Sequence, residues 1–301
     1  MNARALALCL PLLSGCGILT RNAAQWGHEP RLLEHKIHDP RTSARLAVLW
    51  IGHATVLVQM GDRFVLTDPV FTKSVGELSP RLVEPGLDPA DLPPLAAVVV
   101  SHMHFDHLSF DSLGMIEDRT RVLLLPPGAR SSVPKYAFES RELDRWETYE
   151  SMGVRITAVP VRHVGGRYGI DQAWNPRAFT GYVFEHDGMT VYFGGDTAYD
   201  PPLFRAAHER FPHIDLALLP ICPDRPRDFM QSTHMDPGQA LLAFGELSAD
   251  RMVPIHFGTF VNSDDGEQDC PLRLREEMGR LGVADARVPI LAIGEQRVIL
   301  P

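Results

Sequence analysis

The stretch Ser101-His102-Met103-His104-Phe105-Asp106-His107 places three histidines and one aspartate directly after the apolar run Ala96–Val100. Imidazole nitrogen and carboxylate oxygen are typical zinc ligands, at about 2.0–2.2 Å from the ion. Alternate residues of an extended chain face the same side, so we expect His102 and His104 to face one ion, and Asp106 and His107, after a turn, a second. Because such groups cost free energy when they are buried without partners, the stretch predicts a metal site at the end of a buried strand.

Three further candidate ligands follow other apolar runs of the sequence. His163, Asp196 and His256 each stand just after a run of β-forming residues. Any one of them alone could be an ordinary loop residue, but all three repeat the order of the motif, a strand followed by a ligand, and ligands of α/β sheets gather at strand ends. The set suits two ions, one bound by His102, His104 and His163, the other by Asp106, His107 and His256, with Asp196 bridging them.

The apolar pattern becomes regular from Leu46 onward and predicts one α/β domain over residues 46–301. The β-forming runs are short and are bounded by Gly, Pro or Asp, which is typical of buried strands. They are Leu46–Ile51, Thr55–Met60, Phe64–Thr67, Ala96–Val100, Val122–Leu125, Val154–Val161, Phe179–Phe184, Thr190–Phe193, Leu216–Ile221, Met252–His256 and Val288–Ile293. Helical patterns lie between them at Phe110–Met115, Pro202–Arg210, Pro237–Leu247 and Leu272–Leu281.

Composition and charge exclude several classes of protein. The chain has 301 residues, of which 45% are hydrophobic and 22% charged, as in soluble globular proteins. This composition excludes a disordered chain, a collagen and a protein with many membrane spans. The net charge of −9 leaves no basic footprint for a phosphate backbone, so we expect no nucleic-acid partner.

The cysteines are too few and too scattered for a disulfide scaffold or a zinc ribbon. The chain has four of them, at positions 9, 16, 222 and 270. Cys222 and Cys270 could pair in an oxidising compartment, but the sequence does not show whether they are close. Free thiols are the default expectation.

The N-terminus has the pattern of an exported bacterial lipoprotein. Arg4 precedes an apolar run of nine residues, which is too short for a bilayer span of about 20 residues and fits a signal peptide. The run ends in Leu13-Ser14-Gly15-Cys16, which resembles a lipobox. We expect a signal peptide over residues 1–15, lipidation of Cys16, a linker over residues 16–45, and anchoring in the bacterial envelope at the periplasmic face of the outer membrane.

Several of these stretches together resemble the metallo-β-lactamase superfamily, and within it the branch of N-acyl-phosphatidylethanolamine-hydrolysing phospholipase D. The resemblance covers about residues 48–295, while the segments 164–167 and 222–227, where substrate contacts are expected, depart from the branch pattern. The matching stretches include Gly52-His53-Ala54-Thr55, Leu66–Phe71, Ser101–Leu108, Glu142–Glu147, Pro160–His163, Gly194–Tyr199, Phe229-Met230, His234–Pro237 and His256–Phe260.

The resemblance implies an αββα sandwich, a site for two Zn²⁺ ions at one edge of the sheets, a phospholipid substrate and a homodimer. It also implies that His234, just before a helix N-terminus, donates a hydrogen bond to the phosphate or the leaving group. His53 and Asp68 follow strand-like runs near the same edge, and we expect them to orient the ligands through hydrogen bonds. Asp106 is expected to orient the attacking hydroxide in addition to binding metal.

Other functions remain open at this point. The same metal site could hydrolyse a lactone, a thioester or a soluble phosphodiester. A metal-binding lipoprotein without enzymatic activity is disfavoured because the ligand set is complete, and RNA processing is disfavoured by the acidic charge.

Replacing Cys16 with Ser is expected to move the protein from the membrane fraction to the soluble fraction. Each buried CH₂ of the acyl chains contributes about 0.8 kcal/mol to anchoring, and the variant would lack those chains. Cell fractionation followed by immunoblotting measures the distribution. Cys9→Ser, a change inside the apolar run, is the matched control and should leave the protein on the membrane. Continued membrane association of the Cys16 variant would contradict the lipoprotein hypothesis.

Overall fold

A computed structural model describes residue 18 and residues 20–76, 79–167 and 175–301. The expected signal peptide and Cys16 lie outside these residues. In the described part, no helix combines the length and the apolar character needed to cross a bilayer.

The chain folds into short β-strands and helices that are joined by loops. The strands are β1 Leu46–Gly52, β2 Thr55–Met60, β3 Arg63–Thr67, β4 Ser74–Val75, β5 Ser79–Pro80, β6 Ala97–Val99, β7 Val122–Leu125, β8 Glu139–Glu142, β9 Thr148–Ser151, β10 Val154–Val159, β11 Gly181–His186, β12 Met189–Phe193, β13 Leu216–Pro220, β14 Arg251–Ile255 and β15 Gln296–Leu300. From residue 80 onward the α-helices are α1 Phe110–Met115, α2 Pro201–Arg210, α3 Arg227–Met230, α4 Pro237–Glu246 and α5 Asp269–Leu281, with short 3₁₀ turns at Pro89–Asp91, Glu117–Arg119 and Arg130–Ser132.

Two large sheets form the centre of the molecule. The first has the strand order β15-β1-β2-β3-β6-β7-β8, and the second has the order β14-β13-β12-β11-β10-β9. Helix α1 packs on the first sheet, and α2, α4 and α5 form a layer that contacts the second sheet through β13. The αββα sandwich predicted from the sequence is confirmed.

Strand β1 shows why the strands of this fold read as continuous apolar runs. Val48 and Trp50 belong to the large core that includes both sheets, whereas Leu49 and Ile51 belong to a second core with α1. All seven residues of β1 are buried. A strand covered on both faces needs apolar residues at every position, so alternation is lost.

The predicted elements differ from the structure mainly at polar strands and near the C-terminus. Val288–Ile293 is not a strand, and the last strand is Gln296–Leu300, which pairs with β1. Strands β8 and β9 lie at sheet edges and have mostly exposed, polar residues. They contain no apolar run from which a strand could be predicted. Strand pairing with a neighbour, rather than burial, defines these elements.

The segment expected to be a linker contacts the domain. Arg21 donates hydrogen bonds to the carbonyl groups of Ser263 and Asp265, and Asn22 donates to the carbonyl of Val261. Further along the segment, Lys36 forms ion pairs with Glu84 and Asp88. The boundary at residue 46 stays a prediction, but residues 20–45 are not an independent tether in this structure.

Cys222 and Cys270 form a disulfide bond, with 6.2 Å between their Cα atoms. The default expectation of free thiols is therefore wrong. The two cysteines are 48 residues apart in the sequence, and both are buried. The bond joins the end of β13 to the start of α5, a proximity that exists only after the second sheet and its helices have packed.

Removing this disulfide with Cys222→Ser and Cys270→Ser together is expected to lower the free energy of unfolding by about 2–4 kcal/mol, because the unfolded chain gains freedom. Denaturant unfolding of the oxidised proteins measures the change. Reducing agent should destabilise the wild type by a similar amount and leave the double variant unchanged. An unchanged denaturation midpoint in the double variant would contradict the disulfide.

Candidate metal centre

All the predicted ligands lie at one edge of the two sheets. His102 and His104 follow β6 of the first sheet, whereas His163, Asp196 and His256 follow β10, β12 and β14 of the second. The structure brings them together with Asp106 and His107 in overlapping groups whose ligand atoms lie within 4.8 Å of one another. The predicted ligands therefore form a cluster of histidines and aspartates that could bind metal.

The first group of the cluster contains His102, His104 and His163. The Nε2 atom of His102 lies 2.8 Å from Nδ1 of His104. The ring of His163 lies 4.6 Å from that of His102 and 5.2 Å from that of His104, measured between centroids. These are the three residues that the sequence assigned to one ion.

The second group contains Asp106, His107 and His256, together with His53. The Nε2 atoms of His107 and His256 are 3.2 Å apart, and an Asp106 carboxylate oxygen lies 3.8 Å from Nε2 of His107. The Asp196 carboxylate is 3.3 Å from Nε2 of His107, 3.0 Å from Nε2 of His256 and 3.9 Å from Nε2 of His163. Asp196 thus lies between the two groups, as a bridging ligand would.

A glycine allows the second sheet to approach the first at this edge. Gly195 has φ of 57°, and a Cβ atom there would lie 2.4 Å from Cβ of Ser101. The neighbouring backbone also joins the sheets, since the Thr180 amide donates to the Ser101 carbonyl at 2.9 Å. The contact between Gly195 and Ser101 brings Asp196 against the histidines of the motif.

Three residues of the site have left-handed backbone conformations, which are uncommon outside glycine. The φ angles are 56° at His53, 35° at Asp68 and 68° at His256. Each residue follows a strand and turns its side chain toward the cluster instead of continuing the sheet. Such conformations persist only where surrounding contacts hold them, and they cluster at functional sites.

Asp68 fixes the orientation of His107. Its fully buried carboxylate accepts hydrogen bonds from the Ser101 amide and hydroxyl, both at 2.7 Å, and from Nδ1 of His107 at 2.6 Å. The bond to Nδ1 directs Nε2 of His107 into the cluster. The expected orienting role of Asp68 agrees with this geometry.

His53 lies behind Asp106 and His256. Its Nε2 atom is 3.0 Å from an Asp106 carboxylate oxygen, and its ring lies 3.8 Å from that of His256. The backbone of His53 is also tied, since its amide donates to the Thr259 hydroxyl and its carbonyl accepts from Nε1 of Trp50. His53 therefore holds Asp106 in place without facing the first group of ligands.

Burial keeps several of the imidazoles neutral. It lowers the pKa of His53 to about 3 and the pKa of His163 to about 4, and it lowers the pKa of His102 well below its ordinary value. A neutral imidazole has the lone pair that a metal ligand needs. Burial thus prepares these side chains for a cation without competition from protons.

Carboxylates concentrate negative charge around His107. Burial alone would lower the pKa of His107, but Asp196, Asp106 and Asp68 together raise it well above the ordinary value. Burial alone would raise the pKa of Asp196, but the nearby histidines, first among them His256, hold that pKa well below its usual range. The centre therefore attracts a positive charge, which a metal ion would supply.

The donor set fits a metal ion for a further reason. Nε2 of His107 faces an Asp196 oxygen at 3.3 Å. The raised pKa of His107 places a proton between these two atoms, and a metal ion could take the place of that proton. The buried Nε2 atom of His163 also has no hydrogen-bond partner in the described part of the chain, and buried polar atoms rarely stay unpaired.

His234 lies in the same cluster, although the sequence assigned it no metal. Its Nδ1 atom is 3.7 Å from an Asp196 oxygen, and its ring is 5.1 Å from that of His163. The side chain is half-buried and follows α3, with its amide bonded to the Met230 carbonyl. His234 is thus close enough to the predicted ligands to contact a group bound there.

Three contributors to the site were not predicted. Ser101 bonds to Asp68 and lies 3.0 Å from Nδ1 of His102, and the Thr233 carbonyl accepts from Nδ1 of His163. Ser101 could have been recognised from the sequence, because it is a small polar residue between a buried strand and the first histidine of the motif. Thr233 contributes only its backbone, which no side-chain pattern reveals. Arg167 is buried against the motif, and its contacts come from distant parts of the sequence.

Comparisons with known proteins agree on the family and the fold. Residues 63–257, more than half of the chain, match the family described as the beta-lactamase superfamily domain. A crystal structure of a possible metal-dependent hydrolase from Veillonella parvula is similar with a TM-score of 0.69 at 18% identity, covering 85% of this chain and 99% of that one.

Two curated relatives have names that bear on activity. The chain is 32% identical over 241 residues to N-acyl-phosphatidylethanolamine-hydrolyzing phospholipase D 1 of Caenorhabditis elegans, covering 74% of this chain and 66% of that protein. It is 30% identical over 227 residues to a metal-dependent hydrolase of Anaeromyxobacter sp., covering 71% of this chain and 75% of that protein. The chain spans only 60% of the length of the uncharacterized mycobacterial proteins that it also matches.

Replacing Asp68 with Asn is expected to lower zinc affinity about 10–100-fold, as the loss of an orienting partner typically does. The amide would donate to Nδ1 of His107 and so place the ring proton on Nε2, where the metal would bind. Competition with a chromophoric chelator measures the affinity.

Asp215→Asn is the matched control for this change. Asp215 is also buried, accepts a hydrogen bond from the Thr190 amide at 2.7 Å and lies 3.2 Å from Nε2 of His213. Asp215 stands before the start of β13, whereas Asp196 and His256 of the cluster follow the ends of the parallel strands β12 and β14. Asp215 therefore lies at the opposite edge of the sheet. Equal zinc affinities in the two variants would show that Asp68 does not orient a ligand.

Proposed function

Because the chain belongs to the β-lactamase superfamily and is a metal-dependent hydrolase, we propose that it is a zinc phosphodiesterase of the phospholipase D type. Its substrate would be N-acyl-phosphatidylethanolamine or a related phospholipid. The observation that carries the proposal is the arrangement of the predicted ligands in two groups with the Asp196 carboxylate between them. The substrate class is supported by the resemblance to the nematode phospholipase D.

The residues would hold two ions in the way that the sequence indicated. His102, His104 and His163 would bind one ion, and Asp106, His107 and His256 the other, with Asp196 shared. Two zinc ions would supply a hydroxide near neutral pH and neutralise charge on the phosphoryl oxygens. This assignment uses every histidine of the motif and leaves His53 and Asp68 as supports.

Asp106 would orient the attacking water in addition to binding metal. One of its carboxylate oxygens lies 3.0 Å from Nε2 of His53, which fixes the direction of the group. Burial lowers the pKa of His53 to about 3, so at neutral pH the neutral ring donates its Nε2 proton to this carboxylate. Asp106 is half-buried, whereas Asp196 is buried, so of the two aspartates it is the more open to solvent and substrate.

His234 would donate a hydrogen bond to the phosphate or to the leaving oxygen. The Asp236 side chain caps α4 directly after it, in a capping box with Gln239, and this fixes where the His234 backbone enters the helix. The guanidinium of Arg227 donates to the His234 carbonyl at 2.9 Å and so holds the same backbone. The side chain is thus presented to the cluster by a rigid segment.

The experiment uses the chain from Gly17 onward, loaded with zinc and incubated with mixed phospholipid vesicles that contain N-acyl-phosphatidylethanolamine. Mass spectrometry is expected to detect phosphatidic acid and N-acylethanolamine that form only with zinc. Asp106→Asn should lose this activity together with part of the bound zinc. His234→Ala should keep its zinc and lose roughly 10²–10⁴-fold in kcat, the usual contribution of a positioned proton donor.

Three outcomes would count against the proposal. Absence of lipid turnover in protein that holds two zinc ions would exclude the phospholipase activity and direct the search to lactones and soluble phosphodiesters. An unchanged kcat and KM in His234→Ala would remove the role of His234. Full activity with both ions in Asp106→Asn would contradict the two-ion assignment.

We also propose that the lipid anchor expected at Cys16 places the enzyme in the bacterial envelope, beside a phospholipid substrate. The support is the lipobox-like sequence before Cys16. Cys16 stands a few residues before Arg21 and Asn22, which bond to the carbonyl groups of residues 261, 263 and 265. An anchor at Cys16 would therefore lie close in sequence to a segment that contacts the domain.

A further inference from the structure

Arg167 binds the backbone of the metal-binding motif. Its side chain is buried, and one terminal nitrogen donates to the Leu108 carbonyl at 2.7 Å and contacts the Met103 carbonyl at 3.4 Å. These two carbonyls flank the loop that carries His104, Asp106 and His107. A single guanidinium therefore joins the beginning of the loop to its end.

Aromatic rings hold the same guanidinium. Its central carbon lies 4.3 Å from the centroid of the Phe105 ring and 4.0 Å from that of Phe110. Phe105 lies between two of the predicted ligands, and Phe110 begins α1, directly after the loop. The negative face of an aromatic ring attracts a guanidinium at these distances.

Backbone hydrogen bonds within the loop form one turn. Within it, the amides of His107 and Leu108 both bond to the His104 carbonyl, at 3.1 and 2.9 Å. This turn sets the spacing of Asp106 and His107, and the Asp68 carboxylate ties the His107 ring to Ser101 at the start of the motif. Arg167 adds a constraint of a different kind, because it joins the backbone of Met103 to that of Leu108.

Two glycines before Arg167 form the turn that directs its side chain toward the loop. Gly165 follows the predicted ligand His163 closely, and a Cβ atom there would lie 2.6 Å from Cβ of Ala178. Gly166 has φ of 98°, a conformation that residues with a side chain rarely adopt. The turn after His163 therefore directs Arg167 back toward the loop that carries His104, another ligand of the first group.

We infer that Arg167 is a positioning residue that sets the placement of the two ligand groups relative to each other. It connects the segment of His163 to the loop that carries His104, Asp106 and His107. Arginine suits this task because its planar, permanently charged group can stack on rings and donate to carbonyls at the same time. A lysine at this position would keep the charge but lose the planar stacking.

The test compares Arg167→Met with Arg287→Met. Arg287 makes the same kinds of contact away from the cluster, since it donates to the carbonyls of Ala249 and Asp250 and lies 4.8 Å from the Phe244 ring. Chelator competition gives the affinity for each zinc ion, and thermal unfolding is measured for zinc-free and zinc-loaded protein. Neither measurement needs a substrate, so the result is independent of the proposed phospholipase activity.

Arg167→Met is expected to lower zinc affinity about 10–100-fold and to shrink the rise in Tm that zinc produces, because misplaced ligands bind the ion less tightly. Arg287→Met should leave zinc affinity at the wild-type value. Arg167→Lys should recover only part of the loss. Arg167→Met could instead keep the wild-type zinc affinity and show an equal fall in Tm for the zinc-free and the zinc-loaded protein. That result would show that Arg167 only packs the loop, and it would overturn the inference.

If Arg167→Met does not fold, Phe105→Leu provides a second test of the same inference. This change removes one stacking partner and is expected to lower zinc affinity in the wild type. In the Arg167→Lys background it should have a smaller effect, because the stacking is already lost, and a double-mutant cycle measures that coupling. Additive effects on zinc affinity would overturn the inference as well.

Discussion

The buried carboxylate of Asp68 is the constraint on which the centre depends. It stands at the end of β3 and accepts two hydrogen bonds from Ser101 at the end of the parallel neighbour β6, and a third from His107. Burial raises the pKa of Asp68, because a charge in the interior is costly, and these three donors offset only part of that rise. The same bonds hold the start of the metal-binding motif and the ring of its last histidine in one rigid unit.

The ligands come from both sheets, so the centre exists only when the sheets are packed together. The contact between Gly195 and Ser101 and the bond from Thr180 to Ser101 join the sheets at the edge where the ligands emerge. An unfolded chain would have no preformed site, and metal binding would therefore stabilise the folded state. The large apolar core between the sheets offsets the cost of crowding so many polar groups at the edge.

The clustering of the candidate ligands was predictable from the sequence because its signal is local and chemical. The four ligand-type residues of the motif follow one buried strand, and His163, Asp196 and His256 repeat that arrangement. Contacts made across long stretches of sequence were not predictable in this way. The bond between Cys222 and Cys270 and the contacts of Arg167 depend on how distant segments pack. The polar strands β8 and β9 were missed because sheet edges need no apolar residues on an exposed face.

The two segments that depart from the branch pattern now have structural roles near the centre. Arg167, in the segment 164–167, is turned inward against the metal-binding loop. In the segment 222–227, the Arg227 guanidinium bonds to the His234 carbonyl, while the amides of Asp224 and Arg225 donate to the Asp265 carboxylate. The Arg167 and Arg227 side chains thus support residues of the cluster. A difference in sequence at these positions gives no reason by itself to assign another substrate.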